Sequence, residues 1–370
     1  MVRVLQLDSL DALDDYRLVW RNLLGQTRGA TFFQSLDWLE PYWRHHQATQ
    51  QPRVLLVEGN EGWLGILPLN LRLDPTNLGT YRVLAYPHHD WGTFFGPIGP
   101  HPTATLLSSL SHLKRGRQDW DLIDLRWIDR TGIDASRTAM AFETLSMPAV
   151  ELEGQPAATV TIDGDWPGYW QARDTHFRKN VERSRRRLEA QGCLNYVRYR
   201  PGGFSVGETD PRWDLYDVCQ RLAGASWQGS SKTGTTLSHV SVQDYLREAH
   251  TSAVWAGAAD INLLYLGDQP AAFAYCYQYE GNVFGLRMGF DPHVSREGSG
   301  SVLLELMLED SFRRGDRHFD LGTGYLSVKR HWHTALVPTY HYTHFASGQV
   351  RAQALRIGRW ARRQLRHFAG

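Results

Sequence analysis

The chain has 370 residues, 42% hydrophobic and 21% charged, with a formal charge of +1. This composition fits one large or two medium packed domains and excludes a disordered chain. No stretch approaches the ~18 apolar residues that span a bilayer, and Cys193, Cys219 and Cys276 are too widely spaced to read as a disulfide frame, so a reducing compartment, the cytoplasm, is the default.

Residues 1–8 read as a short strand, not as the basic and apolar segments of an export signal. Strands follow near 53–57, 63–71, 81–85 and 122–127, with helices between them. The polar, Gly- and Pro-containing stretch 151–157 marks a boundary, which sets a first half over 1–153 and a second over 157–348. The second half opens with a strand at 159–163 and continues through helices at 175–191, 211–226 and 242–256. Two aromatic-rich strands at 271–279 and 282–290 are joined by Glu280-Gly281, a short hairpin signal. Asp291-Pro292 ends the pair.

The next segment, Ser295-Arg296-Glu297-Gly298-Ser299-Gly300-Ser301, frees the backbone at two glycines. Val302, Leu303, Leu306, Met307 and Phe312 then recur at helical spacing, with Ser301 as the expected cap and Gly315 as the stop. A turn that opens a helix exposes amides carrying partial positive charge. Gly298, Ser299, Gly300 and Ser301 are therefore the candidate binders of a phosphate or pyrophosphate, such as that of coenzyme A.

The strand Phe319-Asp320-Leu321-Gly322 and the segment Val328-Lys329-Arg330-His331-Trp332 follow. Together with the turn, they resemble the GNAT-type acetyltransferase superfamily, closest to its CelD-like, cellulose-biosynthesis-associated branch, which is related to the FemAB peptidyltransferases. The family's second half carries Phe-Asp-x-Gly followed by Tyr-Lys-x-x-Trp/Phe. Its phosphate turn usually holds a basic residue where Ser295 stands here. Phe177–Arg183, Phe32–Leu39 and Trp63–Leu69 resemble further family segments in the same order. The resemblance implies an α/β fold of two tandem GNAT-like halves, each a mixed, largely antiparallel sheet flanked by helices. It also implies acyl-CoA as donor substrate and a lysine, here Lys329, that meets a phosphate or the developing oxyanion.

Direct acyl transfer needs the donor held, an oxyanion stabilised and the attacking amine deprotonated. Asp320 and Tyr325, at the C-terminal end of the strand, are the candidates for moving the proton; Asp320 equally suits bracing of the turn. Cys276, in mid-strand, reads as a structural cysteine. Over residues 171–200, nine Lys/Arg face three Asp/Glu, so Arg178 and Arg183 are candidates for capturing an anionic substrate. The bland alternative is a solvated face with Arg178–Glu182 and Arg185–Glu189 pairs. His89 and Trp332 are candidate substrate contacts, and Trp91 and Trp227 are further members of an aromatic wall. The clustered histidines lack the spacing of a metal site, so no metal is expected.

Residues 351–368 read as a basic amphipathic helix that docks on its domain, with peripheral membrane or RNA contact as the alternative. The leading reading is an N-acyltransferase moving an acyl group from acyl-CoA to an amine of a small molecule or of a sugar or polysaccharide precursor. The runners-up are a FemAB-like aminoacyl-tRNA-dependent transferase and a non-catalytic scaffold in exopolysaccharide assembly.

Overall fold

A computed structural model describes residues 2–76, 79–87, 91–294 and 298–368, the last seven by backbone alone. The apolar alternations become β1 (Arg3–Leu7), β2 (Gln50–Gly59), β3 (Gly62–Thr76), β4 (Gly79–Ala85), β5 (Leu122–Ile128) and β6 (Ala149–Glu153) in the first half. The second half holds β7 (Ala157–Thr161), β8 (Leu194–Tyr199), β9 (Ala259–Leu266), β10 (Gln269–Tyr279), β11 (Asn282–Phe290), β12 (His318–Asp320) and β13 (Ala335–Val337), and β14 (Tyr340–Phe345) follows. The β10–β11 hairpin turns through Glu280 and Gly281, both at positive φ (48° and 76°), the mirror-image turn that matches strand twist.

Two compact units result, Met1–Gln155 with Pro338–Gly370, and Pro156–Val337. Each carries a seven-stranded sheet, in the orders β1-β2-β3-β4-β5-β14-β6 and β13-β7-β12-β11-β10-β9-β8. Read from β1 and from β8, the two orders match strand for strand. Each contains a parallel pair three residues long, β4 with β5 through 83–85 and 122–124, and β11 with β12 through 282–284 and 318–320. The expected tandem α/β architecture is present.

The expected extent of the second half is corrected. Residues 338–348 lie in the first unit, where β14 pairs with both β5 and β6, and the helix Val350–Phe368 belongs to that unit as well. Alternation identifies a strand but not its sheet, because partner choice is non-local. The near end of this last helix is docked: Arg351 binds Asp121 through Nε and Nη2 at 2.6 Å each, and Ala352 and Leu355 are buried. Among the described residues no helix is long and apolar enough to cross a membrane.

In the second unit the helix Ser299–Arg314 buries Val302, Leu303, Met307 and Leu308 against Val181 and Leu188 of the basic helix Thr175–Glu189, and against Ala272, Ala274 and Cys276 of β10. Fully burying one such large side chain contributes about 1.5–3 kcal/mol. This apolar seam fixes the start of the helix beside the basic helix. Farther along, Arg198 of β8, 2% exposed by side chain, bridges Asp260, which is fully buried, and Asp310, at 2.7 Å and 3.0 Å. Arg200 joins Asp260 to Asp316 at 2.7 Å each.

Candidate active site

The amide-exposing turn is present, and the helix cap sits three residues earlier than the sequence suggests. Gly298, at φ 85°, is the N-cap, and the helix begins at Ser299, so Ser301 is the third helical residue and not the cap. The hydrogen bond from Val302 N to Gly298 O, 2.9 Å, is the first of the helix. That leaves the amides of Ser299, Gly300 and Ser301 without intrahelical partners, as at any helix start. A side chain at 298 has no room, because a Cβ there would collide with Ser184 of the basic helix. The glycine thus serves both the positive φ and the close approach. Ser299 Oγ is buried without a hydrogen-bond partner among the described residues. Ser295, at the family's basic position, lies outside the described residues, as does His89.

Nearly two turns into the helix, Glu305 is buried 3.8 Å from Arg185. Burial pushes its carboxyl up to about 7, with Arg185 pulling the other way. Between about pH 4.5 and 7 the folded chain therefore keeps a proton that the unfolded chain has lost, so this group's contribution falls as pH rises through that window. Glu305→Gln is expected to stabilise the protein by about 1–2 kcal/mol at pH 8 and to give no gain at pH 4.5. Thermal melts at the two pH values check this.

Past Phe284 and Asp320 the strands β11 and β12 no longer pair. At this point β11 also slips register against β10, with Leu286 as the extra residue opposite Tyr275 and Cys276. Such bulges bend a strand and re-aim its side chains. Gly285 makes room at the start of the wedge, since a Cβ there lies 3.0 Å from Asp320 O. The segment after Ala225 is bound to β11 beyond this point. Gln228 Nε2 donates to Met288 O at 3.3 Å, and Arg287 Nε donates to Thr235 O.

Beyond β12, Asp320 is buried and its Oδ1 accepts from Gly322 N at 2.7 Å, which is the turn-bracing role. Lys329 ends the one-turn helix Leu326–Lys329 and folds back so that Nζ donates to Thr323 O at 2.7 Å. Burial pushes its amine down to about 8; Asp320 raises it and Arg287 lowers it further. Asp320, Lys329 and the turn around Gly322 are thus brought together. Arg287 joins them unpredicted; its signal was a lone cation in an otherwise apolar strand.

Tyr325, at φ 47°, caps the Lys329 helix; it is 70% exposed and faces Trp227, itself 50% exposed, with ring centroids 6.0 Å apart. Trp332 is corrected to a core residue. It is fully buried among Trp170 and Phe177, with centroids at 5.8 Å and 4.9 Å, because helical spacing from Lys329 turns it inward. Trp91 is buried too, so Trp227 alone of the suggested wall is open. Arg183 is exposed on the basic helix. Arg178 binds Arg173 O and Thr175 Oγ1, both at 3.3 Å, while Arg185–Glu189 forms the expected i,i+4 pair at 3.4 Å. Cys276 is buried with its thiol pushed up by burial, which suits packing. Among the described residues no cluster of ligating side chains could hold a metal.

The first unit offers a contrast. At the ends of β4 and β5 it encloses a cavity of about 260 Å³ lined by Gln34, Phe95, Gly99, Pro102, Asp129 and Arg137. The helix there, Pro102–Arg115, starts with proline, which has no amide hydrogen to offer. Among the described residues, then, the helix that follows the parallel pair starts with a glycine cap in the second unit and with a proline in the first.

Residues 175–330 match the model of the acetyltransferase (GNAT) domain. Comparison with curated proteins gave no match. Among solved structures, FemX is similar over 89% of this chain and 96% of its own, with a TM-score of 0.59 at 10% identity. A tandem GNAT protein from the clavulanic acid biosynthesis pathway is similar over 94% of this chain and 100% of its own, with a TM-score of 0.52 at 12% identity. At such identities the likeness is one of fold.

Proposed function

We propose that this chain, whose residues 175–330 match the acetyltransferase (GNAT) domain model and whose fold is similar to that of FemX, is an N-acyltransferase of GNAT type that uses acyl-CoA. The acceptor would be an amine of a small molecule or of a sugar or polysaccharide precursor, modified in the cytoplasm. The observation that carries this reading is the turn at Gly298, which presents the amides of Ser299, Gly300 and Ser301 at a helix start beside the basic helix.

In this reading the pyrophosphate rests on those three amides, and the thioester reaches the wedge between β11 and β12. The acceptor nitrogen attacks the thioester carbon, a C–N bond forms, the C–S bond breaks, and the thiolate leaves and takes up a proton. Lys329 stabilises the oxyanion that develops on the carbonyl oxygen. Asp320 is a positioning residue, holding the turn and favouring the charged form of Lys329. Tyr325 stands at the exposed side, where the acceptor's proton departs, and Arg178 and Arg183 steer the anionic donor.

Calorimetric titration with coenzyme A tests the donor. Micromolar binding is expected, and Gly298→Ala, which forces a side chain against Ser184 at positive φ, is expected to weaken it at least tenfold. The aminoacyl-tRNA reading draws on the exposed arginines of the basic helix. Retention of tRNA without coenzyme A binding would favour it, and absence of both would leave a scaffold in exopolysaccharide assembly.

A further inference from the structure

Two segments flank the diverging ends of β11 and β12, and each contributes one open aromatic ring. Trp227 comes from the segment held to β11 through Gln228 and Arg287. Tyr325 comes from the turn that leads to Lys329. Their rings face each other at 6.0 Å and 57°. Among the described residues no packing accounts for them, since they are 50% and 70% exposed.

Tyr325 also holds a left-handed backbone at φ 47°, ψ 39°. For a bulky residue that conformation costs about 1–3 kcal/mol, and such strain gathers at ligand sites. Here no burial of the side chain offsets it. A rigid aromatic pair in water is an unused contact surface with little conformational entropy left to lose.

The surroundings narrow what that surface takes. Neither 226–241 nor 321–337 contains an Asp or Glu, whereas Lys232, Lys329 and Arg330 lie within them. The buried carboxylate nearby, Asp320, is engaged with the turn at Gly322. A polycationic acceptor would find no counter-charge in either segment. Hydroxyls are plentiful instead: Ser231, Thr233 and Thr235 form a chain, with Oγ–Oγ1 3.0 Å and Oγ1–Oγ1 2.6 Å.

We infer that Trp227 and Tyr325 form the acceptor platform, and that it receives an amino sugar, neutral or phosphorylated, whose C–H ring face lies on Trp227 while its hydroxyls meet the Ser231–Thr235 chain. The reacting nitrogen then stands on the Lys329 side of the rings. This assignment rests on the acyl-CoA reading for its chemistry: the sugar amine becomes an amide and the thiol is released. Its binding half stands independently of the donor.

The full chain is tested in two ways. Saturation-transfer NMR with glucosamine and glucosamine 6-phosphate should show ring-proton signals that Trp227→Ala abolishes and Trp227→Phe largely keeps. Thiol release from acetyl-CoA should be faster with these sugars than with spermidine or lysyl-lysine. Trp227→Ala should raise the KM for the sugar about tenfold while moving the KM for acetyl-CoA less than twofold. Sugar signals untouched by Trp227→Ala, or a preference for the linear amines, overturn the platform. Sugar binding that depends on Trp227 without coenzyme A binding sustains the platform and overturns the donor reading instead.

Discussion

Lys329→Met is expected to lower kcat at least about 100-fold while making the protein more stable. The first effect follows from losing the cation proposed above to stabilise the developing oxyanion, since removal of one such donor typically costs 10²–10³ in rate. The second follows from burial. The folded amine titrates near 8, below the usual lysine value of 10.5, so the unfolded chain holds this proton more tightly. Below about pH 8 the group therefore opposes folding, and the opposition fades as pH rises from 8 to 10.5. Methionine keeps the stem and removes the charge, which should add about 1–2 kcal/mol at pH 7 and abolish that rise. Lys329→Arg retains the charge and is expected to recover part of kcat. Steady-state kinetics with denaturation at pH 7 and pH 10 check all three; full turnover by the methionine variant would remove Lys329 from the chemistry.

The largest loss of stability is expected at Arg198. Its guanidinium donates to Asp260 through Nε at 3.0 Å and Nη2 at 2.7 Å, and to Asp310 and Ser311 at 3.0 Å each. Taking away one partner from a buried ionic group leaves uncompensated charge, at a cost of about 3–5 kcal/mol. Arg198→Met should fall in this range by urea denaturation. Asp260→Asn, which keeps oxygen and shape, should cost less, because Arg198 and Arg200 still reach Asp310 and Asp316. Equal losses would mean that packing, not charge, decides at this edge.

Much of the architecture was legible in the chain because it is written locally. Alternating runs located β10 and β11 within a residue or two, and the Glu280-Gly281 turn joined them as its conformational preference requires. The basic helix, expected over 175–191, runs Thr175–Glu189. What escaped was non-local: β14 carries a strand pattern but no mark of which sheet it enters, and Trp332 carries no mark of which way the turn after the short helix directs it. At the site, Lys329, Asp320 and the Gly298 turn were visible by motif. Arg287 and the Trp227–Tyr325 contact were not, since each depends on two segments meeting across some 40 to 100 residues of sequence.

The placement of β14 sets an order of maturation. The sheet containing β1 to β5 cannot seat β6 until Tyr340–Phe345 has been made, because β14 is the strand between β5 and β6. At the usual pace of synthesis, about 5–20 residues per second, residues 154–339 take roughly 10–40 seconds. During that interval the half translated first waits with an open flank beside β5. The contiguous stretch Pro156–Val337 carries every strand of its own sheet and can close first. The half that matches the acetyltransferase domain is thus the autonomous one, and the half made before it is completed last.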